Sequence, residues 1–151
     1  MGARIAGMFA TSYYTLGLFA EARPLAEEQL RVLEARLGAG DPRTLEALAG
    51  LGRILGKLDR QAEAAELLAR AREGYQRAGE PYTGAFAQCT DSLAMIRQRQ
   101  RRYEEAEQLS LQALEAGRRA WGEGHPQTAV LLEHRAILHL CLLYTSPSPR
   151  D

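Results

Sequence analysis

The sequence predicts an all-α protein, built as a solenoid of antiparallel helix pairs in which each pair packs on the next. Three observations lead to this fold class: segments repeat at a fixed interval, apolar residues recur at helical spacing within each segment, and glycine and proline stand between the segments. A chain of 151 residues is sized for one domain with a core of its own.

The segments repeat at an interval of about 42 residues, which lies in the range of known helical repeats. Phe19–Leu25 is similar to Tyr103–Leu109, and Leu37–Thr44 is similar to Trp121–Thr128, each at twice that interval. An intermediate copy lies halfway, as these equivalent pairs show: Ala22 and Ala64, Leu25 and Leu67, Leu51 and Leu93. A regular interval of this length is typical of stacked helical units, because a single unit cannot bury its apolar face alone.

Each unit is expected to contain two helices. Apolar and small residues recur every three or four positions, and Glu, Gln and Arg occupy the opposite faces, which is the pattern of amphipathic helices exposed on one side. The seven expected helices cover residues 2–17, 19–37, 42–57, 61–78, 82–99, 103–121 and 126–141. Alanines at equivalent positions, Ala22, Ala64 and Ala106, predict a close approach of neighbouring helices.

Glycine and proline mark the junctions between units. Two pairs of glycines follow expected helices: Gly38 and Gly40, Gly122 and Gly124. Glycine readily adopts the left-handed conformation that ends a helix, and proline fits the first helical turn, where its missing N–H costs nothing. Asp41, directly before Pro42, is a suitable N-cap. Pro81 comes three residues early in the repeat, which predicts a shorter loop or an earlier helix start in the middle unit.

These features resemble the tetratricopeptide repeat family, and in particular its 42-residue variety, which is found in kinesin light chains and many bacterial proteins. The segments that carry the likeness are Tyr103-Glu-Glu-Ala106-Glu with Leu109 and Ala113, and Trp121-Gly-Glu-Gly-His-Pro126-Gln-Thr128. The resemblance covers about residues 3–140 and implies a right-handed superhelix of about three and a half units. In the family, the histidine at the position of His125 has a structural role.

The resemblance implies a scaffold that binds a peptide or protein partner, and not an enzyme. Its concave groove is expected to be lined by the first helix of each unit. By repeat alignment, the candidate binding residues are Tyr14, Arg53, Lys57, Asp91, Met95, Arg99 and His134, with Glu46, Gln88 and Glu133 beside them. The family's usual Asn in the first helix of each unit is missing, so its contacts with peptide backbones do not carry over directly.

One edge of this groove is expected to be basic. Arg53, Lys57 and Arg99 lie near the ends of their helices, and Lys57 and Arg99 occupy equivalent positions in successive units. Such an edge suits an acidic peptide or a C-terminal carboxylate. The alternative is that these cations merely stabilise the carboxyl ends of their helices.

Composition argues against several other partners and settings. Lys plus Arg and Asp plus Glu both number 19, so the formal net charge of zero favours neither nucleic acid nor a membrane surface as a partner. Cys89 and Cys141 stand far apart in the sequence without a metal-binding spacing, and no apolar run reaches the length of a membrane span. We therefore expect a cytoplasmic protein with free thiols.

Motifs for catalysis, cofactors or metals are not found. Gly50–Lys57 has the composition of a phosphate loop, but its glycine spacing is wrong and Leu58 replaces the required hydroxyl residue, so we expect close helix packing at its glycines. His134 and His139 are five residues apart, whereas two zinc ligands on one helix face need a spacing of four. Cys89 has no base near it in sequence and is expected to be packed. We expect no cofactor and no metal.

The C-terminal residues depart from the repeat. Residues 142–151 contain Pro147 and Pro149 and resemble translated sequencing-adapter read-through, so we expect a non-native or disordered tail after a repeat domain of residues 1–141. The alternative is a genuine Pro/Ser tail. Without a following helix, helix 126–141 would leave an apolar surface open to self-association. The second functional candidate is a repeat segment of a larger bacterial signalling protein, such as a serine/threonine kinase or a transcriptional regulator.

Overall fold

The computed structural model describes residues 2–145. Within that range the chain forms seven helices and no strand: α1 (Ala3–Thr15), α2 (Phe19–Leu37), α3 (Pro42–Lys57), α4 (Gln61–Ala78), α5 (Thr83–Arg99), α6 (Tyr103–Trp121) and α7 (Pro126–Thr145). Each helix packs on its neighbours in sequence, and α5 also contacts α3 and α7, so first helices of successive units lie side by side. The predicted all-α solenoid of helix pairs is confirmed.

The last helix is the one whose end differs most from the expectation. α7 continues to Thr145, four residues beyond the expected end at residue 141. No glycine or proline interrupts the chain before Pro147, so the helix has no local reason to stop earlier. Residues 146–151, the rest of the expected tail, lie outside the described residues.

The turn inside each helix pair recurs once in every repeat. One residue per turn has a positive φ: Gly17 at 77°, Asp59 at 61° and Arg101 at 61°. In each turn the next amide donates to a carbonyl five residues back, at 2.9 Å from Leu18 to Tyr13, from Arg60 to Leu55 and from Arg102 to Arg97. This bond closes a Schellman motif, which ends the first helix of the pair. The backbone pattern is therefore kept even where glycine is replaced by Asp or Arg.

The junctions between pairs all have four residues, 38–41, 79–82 and 122–125. The residue after the helix is Gly38, Gly79 or Gly122, with φ of 84°, 66° and 87°. At the first and last of these ψ is 166° and 169°, a conformation that essentially only glycine adopts. Gly40 and Gly124, which were also expected to be left-handed, do not have a positive φ.

In the middle junction, the early Pro81 lies inside the loop and the Glu80–Pro81 bond is cis. The loop keeps its length, because α4 ends and α5 begins one residue sooner than strict repetition would give. Of the two predicted alternatives, the earlier helix start is correct. The helices after the other two junctions are capped by side chains, since the amides of Arg43 and Gln127 donate to Asp41 Oδ1 at 2.9 Å and His125 Nδ1 at 3.1 Å.

Small residues set the distance between helices. Ala22, Ala64 and Ala106 are fully buried, as predicted. A Cβ added at Gly52 would lie 2.9 Å from Leu68 Cγ, and one added at Gly56 would lie 2.8 Å from Ile96 Cδ1. Close packing therefore explains both glycines. The same prediction is wrong for Gly50, where a Cβ would meet nothing within 4 Å.

Candidate functional site

The seven predicted binding residues line one cavity of about 290 Å³ on the face formed by α1, α3, α5 and α7. They come from all four first helices: Tyr14 from α1, Arg53 and Lys57 from α3, Asp91, Met95 and Arg99 from α5, and His134 from α7. Gly56, Leu68, Ser92 and Ile96 complete the lining. We call this cavity the central basin.

Two cations of the central basin are not paired with any other group in the described part of the chain. Arg53 is half-buried and Lys57 is exposed, and within residues 2–145 neither has a hydrogen-bond or ion-pair partner. Most arginines of the described chain are instead tied to nearby carboxylates or amides, as Arg102 is to Glu105 at 2.6 Å. Arg53 and Lys57 are four residues apart on α3, so their side chains lie on one face.

Arg99 differs from these two cations. Its Nη1 donates to the carbonyl oxygen of Gly56 at 2.9 Å, near the carboxyl end of α3. This contact satisfies a helix-terminal carbonyl and places a positive charge where the helix dipole is negative. Arg99 is thus a helix-end cation, as the alternative prediction proposed, but it acts at the carboxyl end of the neighbouring α3 and not of its own helix, α5.

The carboxylate of the central basin is paired. Asp91 is 8% exposed, and its Oδ2 lies 2.7 Å from His134 Nδ1, which links α5 to α7. Burial raises the pKa of Asp91, and the neighbouring His134 partly opposes that shift.

Two further cavities adjoin the central basin at Arg53. One of about 670 Å³ lies between α1, α2 and α3, and its lining includes Arg4, Met8 and Gly50. The other, of about 280 Å³, lies between α3 and α5 and includes Gln88. Arg53 lines all three cavities, and Glu46 lines the two outer ones.

The 670 Å³ cavity was largely missed from the sequence, although a signal was present. Met8, Gly50, Ser92 and His134 occupy equivalent positions in successive repeats and line these cavities on α1, α3, α5 and α7. Only His134 was nominated among them. Of the other residues placed beside the groove, Glu133 is exposed on α7.

The structure was also searched for a reactive cysteine, a metal site and a membrane-spanning helix. Cys89 is buried, and burial raises the pKa of its thiol to about 11, which keeps it protonated at neutral pH. Residues 2–145 contain no group of three or more His, Cys, Asp or Glu side chains that could hold a metal ion. Within the same residues, no helix is both long and apolar enough to cross a membrane.

Comparison with known proteins identifies the same helical repeat that the structure shows. The family model described as tetratricopeptide repeat matches residues 3–77 and 86–143. No curated protein matches the chain. Solved structures with the same fold include BtubC (BKLC) from P. vanneervenii, with 24% identity, a TM-score of 0.75, and coverage of 90% of this chain and 54% of that one.

Two crystal structures of a putative kinesin light chain from Podosopora anserina, with nearly identical TPR-like repeats, are also similar. The first, of a variant, has 19% identity and a TM-score of 0.79, and the alignment covers 91% of this chain and 65% of that one. The second has 18% identity and a TM-score of 0.73, with 96% and 77% covered. The chain thus spans about half of BtubC and about two-thirds of the variant. With a family model matching most of its length, the chain belongs to the tetratricopeptide repeat family.

Proposed function

We propose that this chain is a protein-interaction scaffold whose concave face binds an acidic peptide or an acidic segment of a protein. The observation that carries the proposal is the meeting of Arg53 and Lys57, both without hydrogen-bond or ion-pair partners in residues 2–145, in a basin to which all four first helices contribute. A carboxylate entering the basin would gain charge-assisted hydrogen bonds there. Tetratricopeptide repeats are in general protein-interaction modules, which supports a protein partner over a small substrate.

The apolar part of the basin would hold the remainder of the segment. Met95, which is half-buried, contributes apolar surface beside the two cations. Tyr14 borders the basin from α1, and its ring packs edge-on against Phe19 with centroids 5.3 Å apart. A bound chain would therefore place an acidic side chain at Arg53 and Lys57 and lie across rigid helices rather than loops.

The test is a binding comparison between two double variants that remove the same charge. Arg53→Ala/Lys57→Ala should reduce affinity for acidic peptides selected from an array by tenfold or more, since each lost hydrogen bond to a charged group is worth about 1.5–3 kcal/mol. Arg36→Ala/Arg119→Ala removes two exposed arginines in the last turns of α2 and α6 and should leave affinity within about twofold.

Arg99 is kept out of the main variant for a physical reason. Its bond to Gly56 joins α5 to α3, so Arg99→Ala should lower stability and confuse loss of binding with loss of structure. Equal affinities of the two double variants for every selected peptide would contradict the proposal.

We also place the scaffold in the cytoplasm. Cys89 and Cys141 are free thiols, and Cys89 is buried without a second cysteine beside it, which suits a reducing compartment. Fractionation of cells expressing the tagged chain should find it with cytoplasmic markers, and recovery from the membrane or secreted fraction would contradict this placement.

A further inference from the structure

The central basin holds two hydroxyl groups in addition to its two unpaired cations. Tyr14 on α1 and Ser92 on α5 are both half-buried and line the basin beside Arg53 and Lys57 of α3. Neither hydroxyl has a hydrogen-bond partner within residues 2–145. Four groups from three helices can therefore donate hydrogen bonds to one anion bound between them.

The formal charge of the basin matches an anion with two negative charges. Its lining contains three cations, Arg53, Lys57 and Arg99, and one carboxylate, Asp91, whose partner is His134. With the histidine neutral, these groups leave two positive charges. A single carboxylate side chain would neutralise only one of the two.

A phosphoryl group supplies this charge in one compact unit. A phosphorylated side chain carries about −1.5 to −2 charges at neutral pH and has three strongly accepting oxygens. Because these oxygens are arranged tetrahedrally, they can accept from donors on α1, α3 and α5 at once, whereas the two oxygens of a carboxylate lie in one plane. Two carboxylates would need two side chains inside a cavity of about 290 Å³.

We propose that the acidic group recognised in the central basin is the phosphoryl group of a phosphorylated side chain in the partner segment. This assignment rests on the proposed function and names the chemistry of its ligand. Arg53 and Lys57 balance the charge of the phosphoryl group, and the hydroxyls of Tyr14 and Ser92 donate to its remaining oxygen. Phosphorylation of the partner therefore strengthens its binding to the scaffold.

The surroundings of the basin favour a phosphorylated segment over free phosphate. The basin adjoins cavities of about 670 Å³ and 280 Å³ at Arg53, which offer room for the residues that flank the phosphorylated one. Free phosphate would occupy the basin alone, so it would bury less surface and bind more weakly than a segment that also fills these cavities.

The test compares peptides that differ only at their centre. An array of peptides of about 13 residues, with phosphoserine at the centre and varied flanks, supplies the starting sequences. Each selected peptide is also made with glutamate, with a pair of glutamates that carries the same charge, and with serine. Fluorescence anisotropy with the whole chain should give affinities for phosphoserine at least about tenfold above those for glutamate and about threefold above those for the pair.

The contribution of the two hydroxyls is tested without changing any charge. Tyr14→Phe/Ser92→Ala should reduce the preference for phosphoserine over glutamate at least about threefold. The control is Tyr103→Phe, which removes the hydroxyl of a half-buried tyrosine on α6 outside the basin and should leave the preference within about twofold. An unchanged preference in the double variant would overturn the assignment of Tyr14 and Ser92.

The outcomes separate this assignment from the proposed function. If peptides with glutamate or the glutamate pair bind as tightly as those with phosphoserine, and all bind more tightly than those with serine, the phosphoryl assignment is wrong and the acidic-segment site stands. Equal binding of all four peptides would overturn both. Inorganic phosphate should displace the phosphopeptide only at millimolar concentrations. Displacement at the dissociation constant of the phosphopeptide itself would show a site for free phosphate and overturn the assignment to a segment.

Discussion

The side chains of the central basin divide into those that hold neighbouring helices together and those that have no partner in the described part of the chain. Arg99 and the Asp91–His134 pair join neighbouring first helices, whereas Arg53 and Lys57 have no hydrogen-bond or ion-pair partner within residues 2–145. All five were predicted to share the groove, because repeat alignment gives the face on which a residue lies. Their pairing could not be predicted, since it depends on the offset between α5 and α7 at the level of a few ångströms.

The pairing of Asp91 predicts a pH-dependent stability difference. His134→Ala leaves a buried carboxylate without its partner and should lower the free energy of unfolding by about 1–3 kcal/mol at neutral pH. Asp91→Asn in the same background should recover part of the loss, because it removes the buried charge. Chemical denaturation of the wild type and of these two variants measures both effects.

The sign of the pH dependence follows from the raised pKa of Asp91. Between the ordinary and the raised pKa the folded state binds more protons than the unfolded state, so the stability contributed by this group falls as pH rises. Because His134 lowers the pKa of Asp91, its removal should raise that pKa further, so acidification toward pH 4 should shrink the deficit of His134→Ala relative to the wild type. A deficit that stays constant, or grows, as pH falls would contradict the assignment of a buried carboxylate.

Backbone conformation at the junctions predicts a contrast between two neighbouring glycines. Gly122→Ala should lower the free energy of unfolding by about 1–3 kcal/mol, because its φ of 87° and ψ of 169° are strained for any residue with a Cβ. Gly124→Ala should change it by no more than about 0.5 kcal/mol. Neither added Cβ would meet an atom within 4 Å, so a difference in melting temperature between the two variants reports the backbone conformation of each glycine and not a steric clash. Similar melting temperatures for both variants would contradict this account.

At the scale of helices, the sequence predicted the elements well and their surroundings less well. The regular repeat interval gave all seven helices, because each copy supplies the same apolar stripe and the same junction. The extension of α7 to Thr145 was missed, since the expectation followed the repeat and not the position of the first proline. Packing around Gly50 was misjudged, because it was grouped with the nearby packed glycines, although its equivalence to His134 in the repeat places it on the groove face.

Helix α3 offers a test of that difference within one element. Gly52→Ala forces a methyl group against Leu68 and should cost about 1–3 kcal/mol of stability. Gly50→Ala meets no neighbour and should stabilise the protein by up to about 1 kcal/mol through helix propensity. Denaturant titrations should therefore move the two midpoints in opposite directions. Destabilisation of similar size in both would mean that Gly50 is packed as the sequence suggested.

For the whole molecule, repetition turns a local arrangement into a continuous surface. Because the turns and junctions recur with nearly constant geometry, α1, α3, α5 and α7 present their groove positions on one face, and Arg53 lies where three cavities meet.

The most direct test of the central claim is a backbone NMR titration of the chain with the tightest acidic peptide from the array. The account predicts that amide shift changes concentrate at positions lining the three cavities on α1, α3, α5 and α7, with the largest near Arg53 and Lys57, and that at the same peptide concentration they are much smaller in Arg53→Ala/Lys57→Ala. Shift changes confined to α2, α4 and α6, or unchanged in that variant, would contradict a concave acidic-segment site.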